Sequence, residues 1–249
     1  MHRFYLPPEQ SQGDTLFLTG AEAHHGLRVL RLRRKDKVTV LNGAGTEFLC
    51  EVEASDRDKI KLAMLQQHQA PQPACRITLL VGIPKGKIIE NIVQKATELS
   101  ASRIVPLVTE RVVIKLDERE ASRKAAKWQQ IAIEALKQSG APWLPQVETP
   151  QTPGQFLERK EHSELSLVAS LQPGSKHPRE YFEAFRAAHN RPPQSLSIWV
   201  GPEGDLTASE VETICAGGAL PITLGSLVLR VETAAVYCLS MVNYEVASA

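Results

Sequence analysis

The chain has 249 residues, 43 % apolar and 23 % charged, with a formal net charge of +1, a composition that fits one large or two modest globular domains and excludes disordered and fibrous classes. No apolar run is long enough to cross a bilayer, and residues 1–10 (MHRFYLPPEQ) lack the apolar core of a signal peptide. Four scattered cysteines, Cys50, Cys75, Cys215 and Cys238, with no C-x-x-C and no histidine at ligand spacing, indicate reduced thiols in a cytoplasmic protein without a metal.

The charge is not spread evenly. Residues 24–37 (HHGLRVLRLRRKDK) hold six Lys/Arg against Asp36 alone, and such a cluster on a near-neutral protein marks a local polyanion contact. The first seventy residues read as β, with alternating runs at 15–18, 37–41, 47–53 and 59–65, at the interval of a small barrel or sandwich. Asn42-Gly43 and Gly45 supply a turn between two of them. Glu22, His25, Val29 and Leu32 lie at near-helical spacing, so a short helix is expected to carry His24, Arg28 and Arg31, with Arg33, Arg34 and Lys35 extending the cluster. Either these cations meet nucleic acid, or they form a solvated helix face covering the barrel.

Residues 66–73 (QQHQAPQP) are polar and proline-interrupted and read as a linker, giving expected domains at 1–70 and 74–249. Beyond them strands and helices alternate: strand 76–83, helix 85–99, strand 104–108, helix 121–139 ended by Gly140-Ala141-Pro142, strand 165–169, helix 181–188. From residue 196 the pattern is strand, glycine turn at 201–205 (GPEGD), helix, short strand at 220–224, a second glycine turn at Gly225, and a last helix from about Val231. Repeated βα units imply an α/β domain with a mostly parallel sheet, and glycine turns at strand ends are where ligands bind in such sheets. Two ordinary turns are the alternative.

Familiar sites are missing. No G-x-G-x-x-G follows the first strand of the α/β part, and the chain has no P-loop, no H-E-x-x-H and no G-x-S-x-G. Any ligand site built on the glycine turns lies late in the chain.

Gly201-Pro202-Glu203-Gly204, combined with L-G-x-x-V-L-R-x-E-T-A over residues 224–234, resembles the RsmE family. These are SPOUT-class, S-adenosylmethionine-dependent methyltransferases acting on N3 of a uridine in the decoding region of small-subunit (16S) ribosomal RNA. The likeness covers nearly the whole chain. His25 to Arg31 with Asn42-Gly43, then Gln94-Lys95-Ala96-Thr97-Glu98-Leu99, Thr109-Glu110-Arg111 with Lys115, and Trp128 with Glu134-Ala135 and Gln138-Ser139 are similar to further family segments. The resemblance implies an N-terminal PUA-like β-barrel for RNA, a SPOUT-type parallel sheet with a C-terminal trefoil knot, which is a rare exception to unknotted chains, and a homodimer with the active site near the subunit interface. It implies S-adenosylmethionine held by three loops: one near Leu171 and the neighbouring Gln172-Pro173, one from Gly201 to Asp205 with Gly201, Pro202, Glu203 and Gly204 singled out, and one from Leu220 to Ala234 with Leu220, Leu224, Gly225, Leu229, Thr233 and Ala234 singled out. RNA contacts fall to Arg3, His25, Arg28, Arg31, Arg33, Arg34, Lys85 and Arg111, the partner being 16S rRNA within the small ribosomal subunit.

Uracil N3 is a poor nucleophile while protonated, so such a reaction needs proton loss and stabilisation of the resulting anion by positioned charge. Arg230 is the cation expected to orient the base or stabilise that charge. Glu232 reads either as an assisting base or, with Thr233, as a cap of the last helix. Glu203 reads as a ligand contact or as a carboxylate complementing the following helix dipole. Lys85 and Lys87 reach RNA phosphate or simply solvate a helix start. Glu98 and Arg111 are expected to pair or cap inside the domain, and Trp128 to be core. Four positions depart from the family pattern: Asp205 where a second glycine is common, Leu227 and Ala141 in place of arginines, and Lys137 in place of a glutamate. Asp205 tolerates the left-handed conformation a glycine would adopt; the lost arginines bear on how RNA is held. Two alternatives accompany this reading: methylation of another RNA site or of a ribose 2′-hydroxyl, and a non-catalytic rRNA-binding or assembly factor.

Overall fold

The computed structural model describes residues 1–112 and 117–247; Lys115 lies outside them. The chain forms two compact units, one of Met1–Gln72 with Ile133–Leu144, the other of Pro73–Ala132 with Pro145–Ala249.

In the first unit β1 (His2–Tyr5), β2 (Thr15–Thr19), β3 (Lys37–Leu41), β4 (Thr46–Ser55) and β5 (Lys59–Gln69) form one sheet in the order β1-β3-β4-β5-β2. Only the β1–β3 pair is parallel. Period-two alternation turns Leu16 and Leu18, Phe48, Cys50 and Val52, and Ile60 and Leu62 into one apolar core with Phe4 and Val38. The expected linker is shorter than its composition indicated. Gln66 to Gln69 continue β5 and pair with Leu49 to Thr46, because a strand on a half-solvated sheet accepts polar residues on its outer face.

Helix α1 (Gly20–His24) runs on as a π-helical turn through Val29. Its inner face differs from the expected stripe. Ala23, Leu27 and Leu30 pack on the core, while Val29 is 61 % exposed. Gly26 explains the close seat, since a Cβ there would lie 2.6 Å from Ile60 Cδ1. Arg31 is not helical: its φ of 55° and that of Lys35, 75°, are left-handed. The segment is fixed by Asp36, whose Oδ2 accepts Arg33 N–H at 2.7 Å, and by backbone bonds between Lys35, Asp36 and Val52.

The second unit carries a parallel sheet in the order β11-β9-β10-β6-β7-β8. Its strands are β6 (Arg76–Gly82), β7 (Arg103–Leu107), β8 (Gln146–Val147), β9 (Leu165–Ala169), β10 (Ser195–Val200) and β11 (Leu220–Ile222). The helices are α2 (Ile88–Glu98), α3 (Glu118–Ser139), α4 (Pro153–Glu158), α5 (Pro178–His189), α6 (Ala208–Ala216) and α7 (Val231–Ala247); the last turns of α3 belong to the first unit. After β8 the chain returns past β6, leaving a gap that β10 later fills between β9 and β6. Helices α2 and α7 pack together on one face, α4 and α6 on the other. Trp199, 2 % exposed, anchors the second face edge-on to Phe156, ring centroids 5.3 Å apart. Trp128 is buried, as its apolar spacing suggested. Arg191 clamps Glu164 through both carboxylate oxygens at 2.9 and 2.7 Å. Those bonds and the Gln194 amide hold the Glu164 carboxyl down to about 2, tying the segments that enter β9 and β10. Among the described residues no helix is long and apolar enough to cross a membrane.

Candidate active site

Parallel strands β11, β9 and β10 are neighbours, so the loops leaving their carboxyl ends converge. Together with the start of α7 they enclose a cleft lined by Ala169, Ser170, Leu171, Val200, Gly201, Pro202, Glu203, Asp205, Leu224, Gly225, Leu227, Val228, Leu229, Val231 and Ala234. Of the residues expected to hold a cofactor, Leu171, Gly201, Pro202, Glu203, Leu224, Gly225, Leu229 and Ala234 are brought together here. Gly204 lies on the other side of its loop. Leu220 begins β11, paired with Leu167. Thr233 faces a separate groove between α2 and α7, and Gln172 and Pro173 stand outside the lining.

The two glycine turns work differently. Gly201 and Gly204 have ordinary backbone conformations; the left-handed residue of the first turn is Asp205, φ 60°. Gly201 is needed for space, because a Cβ there would lie 2.8 Å from Asp205 Oδ1 and 2.9 Å from the Leu206 nitrogen. Gly82 at the end of β6 is similarly tight, 2.5 Å from Pro202 Cδ. Gly225 has φ 110°, and the Thr223 hydroxyl braces it by accepting its N–H at 3.2 Å. Beyond the first turn, Thr207 and Glu210 form a reciprocal cap of α6, and the other Glu210 oxygen accepts Glu110 N–H at 2.9 Å.

The cleft's electrostatics are one-sided. Among the described residues Glu203 and Asp205 are its only charged lining groups; the remainder is apolar, small or neutral. Such a cavity suits a ligand with an apolar, planar part and a positive charge. Glu203 Oε1 is itself committed to Lys85 N–H at 2.9 Å. Arg230 is exposed beside the cleft, between lining residues Leu229 and Val231, and makes no ion pair among the described residues. Glu232 stands in the first turn of α7 and lines the α2–α7 groove rather than the cleft, with Oε2 buried and without a hydrogen-bond partner among the described residues. Glu98 pairs with Lys95 at 2.8 Å, not with Arg111.

In the first unit Arg28, Arg31, Arg33, Arg34, Lys35 and Lys37 are all exposed, and none makes an ion pair among the described residues. His25 meets the edge of Phe4. Arg3 is spent locally: its guanidinium donates to the carbonyls of Gln138, at 2.9 Å, and Lys137, at 3.3 Å, capping the end of α3.

Sequence reasoning missed Ala169, Ser170 and Val200 as cleft residues, while Asp205, Leu227, Val228 and Val231 fall within the two expected cofactor loops without being singled out as cofactor contacts. Ala169 and Val200 are the last residues of β9 and β10, a signal available from strand ends alone.

Two domain models match the chain, an RNA methyltransferase domain over residues 70–243 and an RNA methyltransferase PUA domain over residues 18–65. The chain belongs to the RNA methyltransferase family. Among its relatives is the Bacillus subtilis ribosomal RNA small subunit methyltransferase E, 32 % identical over 98 % of this chain and 97 % of that protein. A Legionella pneumophila methyltransferase solved with S-adenosylmethionine superposes with a TM-score of 0.85 at 30 % identity, covering 97 % of this chain and 96 % of that one. A Neisseria gonorrhoeae ribosomal RNA small subunit methyltransferase E, also bound to S-adenosylmethionine, gives 0.83 at 27 %, covering 98 % and 97 %. Family membership makes this chain an RNA methyltransferase with a PUA-like N-terminal domain on an α/β fold.

Proposed function

We propose that this protein methylates N3 of a uridine in the decoding region of small-subunit ribosomal RNA, using S-adenosylmethionine, as a cytoplasmic homodimer whose C-terminal segment is threaded as a trefoil knot. In this reading residues 1–70 grip RNA and residues 74–249 carry the chemistry. The observation that carries it is the cleft at the ends of β9, β10 and β11, whose only charges among the described residues are the carboxylates of Glu203 and Asp205. S-adenosylmethionine supplies an electrophilic methyl group on a positively charged sulfonium, and those carboxylates complement that charge. Leu171, Leu224, Leu229 and Ala234 offer apolar walls for the nucleoside. Pro202 and Gly225 shape the backbone that meets it, with Leu220, Gly204 and Thr233 supporting the same loops from outside the lining.

Arg230 sits unpaired at the cleft's margin, where a cation can orient the uracil and stabilise the anion left when N3 loses its proton. Glu232, one residue into α7, is the nearest carboxylate in sequence and in this reading assists as a base; its buried Oε2 has no hydrogen-bond partner among the described residues. The exposed cations Arg28, Arg31, Arg33 and Arg34, which make no ion pair among the described residues, with His25 on the same segment and Lys85 and Arg111 in the catalytic unit, supply phosphate contacts that position RNA without reading its sequence, whereas Arg3 is taken up by the carbonyls that end α3.

Nucleoside mass spectrometry of ribosomal RNA from a strain lacking the gene tests the product: 3-methyluridine disappears, and its persistence would overturn the reading. In vitro, Arg230→Ala lowers turnover on small-subunit RNA by at least ~100-fold while the protein remains a folded dimer. Retained turnover removes Arg230 from the mechanism.

A further inference from the structure

The 201–205 loop has two sides. One lines the cofactor cleft; the other, through Pro202, Glu203 and Gly204, lines a second cleft with Lys85, Gly86 and Arg111. A single turn of backbone therefore separates the two. Three contacts fix it from the second side. Pro202 abuts Gly82 so closely that a Cβ at Gly82 would come within 2.5 Å. Glu203 Oε1 accepts Lys85 N–H at 2.9 Å. Arg111 Nη1 donates to the Gly204 carbonyl, its aliphatic stem lying where a Cβ at Gly204 would be 3.3 Å away.

The second cleft carries two exposed cations, Lys85 and Arg111, and neither forms an ion pair among the described residues. A guanidinium has five N–H donors, so the bond to Gly204 leaves a fork free for a phosphodiester. Resting on the reading of this protein as an RNA methyltransferase, we propose that the second cleft is an RNA-phosphate subsite and that Arg111 is a positioning residue which couples RNA binding to cofactor binding through the 201–205 loop. A phosphate held by Arg111 immobilises the side chain that holds Gly204, and the other four residues of that loop, Gly201, Pro202, Glu203 and Asp205, form a wall of the cofactor cleft. Once one ligand has ordered the loop, less ordering is left for the other, and the coupling is reciprocal. Lys85 differs from Arg111 in that it contacts the loop only through its backbone, so its side chain adds affinity for RNA without adding coupling.

The test measures the calorimetric Kd of S-adenosylhomocysteine with and without a saturating transcript of small-subunit ribosomal RNA. Wild type, Lys85→Ala and Arg111→Ala are compared, alongside RNA affinity and methyl transfer by each protein. RNA tightens cofactor-product binding by ~5-fold or more in wild type, the lower range of allosteric couplings. Lys85→Ala binds RNA more weakly but keeps that ratio at saturation, whereas in Arg111→Ala the ratio falls to about 1. Both substituted side chains are exposed, and circular dichroism melts matching wild type verify the fold. A wild-type ratio of 1, or an undiminished ratio in Arg111→Ala, overturns the coupling. RNA affinity unchanged by both substitutions overturns the subsite. Absence of methyl transfer by wild type is a separate result, which overturns the enzymatic reading itself.

Discussion

Gly201 and Asp205 show how one residue's chemistry sets a turn. The left-handed φ of 60° falls on Asp205, a residue whose short polar side chain tolerates it, so the departure from glycine there leaves the turn intact. Gly201 instead answers to crowding. A methyl group at that position meets the backbone nitrogen of Leu206 at 2.9 Å as well as Asp205 Oδ1; the carboxylate can rotate away, but the backbone cannot without moving the start of α6. Gly201→Ala is therefore expected to weaken cofactor binding by at least ~10-fold, the equivalent of about 1.4 kcal/mol, while Tm changes by only a few degrees. Asp205→Gly, which keeps the turn and removes a cleft carboxylate, separates shape from charge: its effect is read as altered preference between S-adenosylmethionine and S-adenosylhomocysteine, which lacks the sulfonium charge. The glycines were visible in the chain, and so was their place at strand ends. Their individual reasons were not, because crowding at Gly201 comes from Asp205 and Leu206 folding back, and crowding at Gly82 comes from a proline 120 positions later.

Elements with a clean period were readable, and those whose partners lie far away were not. β2, β3 and β5 alternate and stand where alternation put them, whereas β1 is four residues, His2–Tyr5, recognisable only through its parallel pairing with β3. β8 is two residues beside β7, and α4 is a six-residue helix begun by a Thr152–Gln155 capping box. The stripe on α1 was misplaced by about one position because Gly26, which carries no apolar side chain, occupies the centre of its buried face. The end of α3 shows the same dependence on distant residues. Lys137 reaches Glu22 on α1 at 2.7 Å and Glu134 at 2.8 Å, and Glu22 also accepts Tyr5 N–H. Burial pulls the Lys137 ammonium down, yet the hydrogen bonds to Glu134 and Glu22 outweigh it and raise its pKa above 10.5. Its contribution to stability is complete below that value and is lost as pH climbs through the higher folded one. Lys137→Met leaves the Glu22 carboxylate largely buried without its cation and is expected to cost about 3 kcal/mol in urea unfolding at pH 7. The double variant Lys137→Met, Glu22→Gln recovers most of that. A Lys137→Met penalty undiminished by the second substitution would show that the pair contributes nothing of its own.

At the scale of the whole molecule α7 carries more apolar surface than one unit can cover. One side, through Val231, Ala235, Cys238, Leu239 and Val242, is buried against the sheet and α2. The opposite side presents Val236, Tyr237 and Met241 to an open groove whose other wall is Asn91 and Lys95 of α2. Tyr237 is 47 % exposed. Val236, Tyr237 and Met241 make an open apolar patch of the kind that marks an interaction surface, and Glu232, at the head of the same groove, holds a buried carboxylate oxygen with no hydrogen-bond partner among the described residues. A second copy of the chain laid along α7 answers both features, as the proposed homodimer requires: it covers the tyrosine face and brings donors to Glu232. An isologous contact of this kind uses the same patch on both chains, so charges introduced on that patch enter the interface twice and repel one another. Tyr237→Glu with Met241→Glu is expected to shift the light-scattering mass from two chains to one, since like charges across an interface cost several kcal/mol. If the dimer completes the catalytic site, turnover falls with the mass, and raising protein concentration restores both together. Glu232→Gln separates the two roles open to that carboxylate: an unchanged mass with lost turnover makes it part of the chemistry, whereas a loss of mass and turnover in step makes it part of the interface.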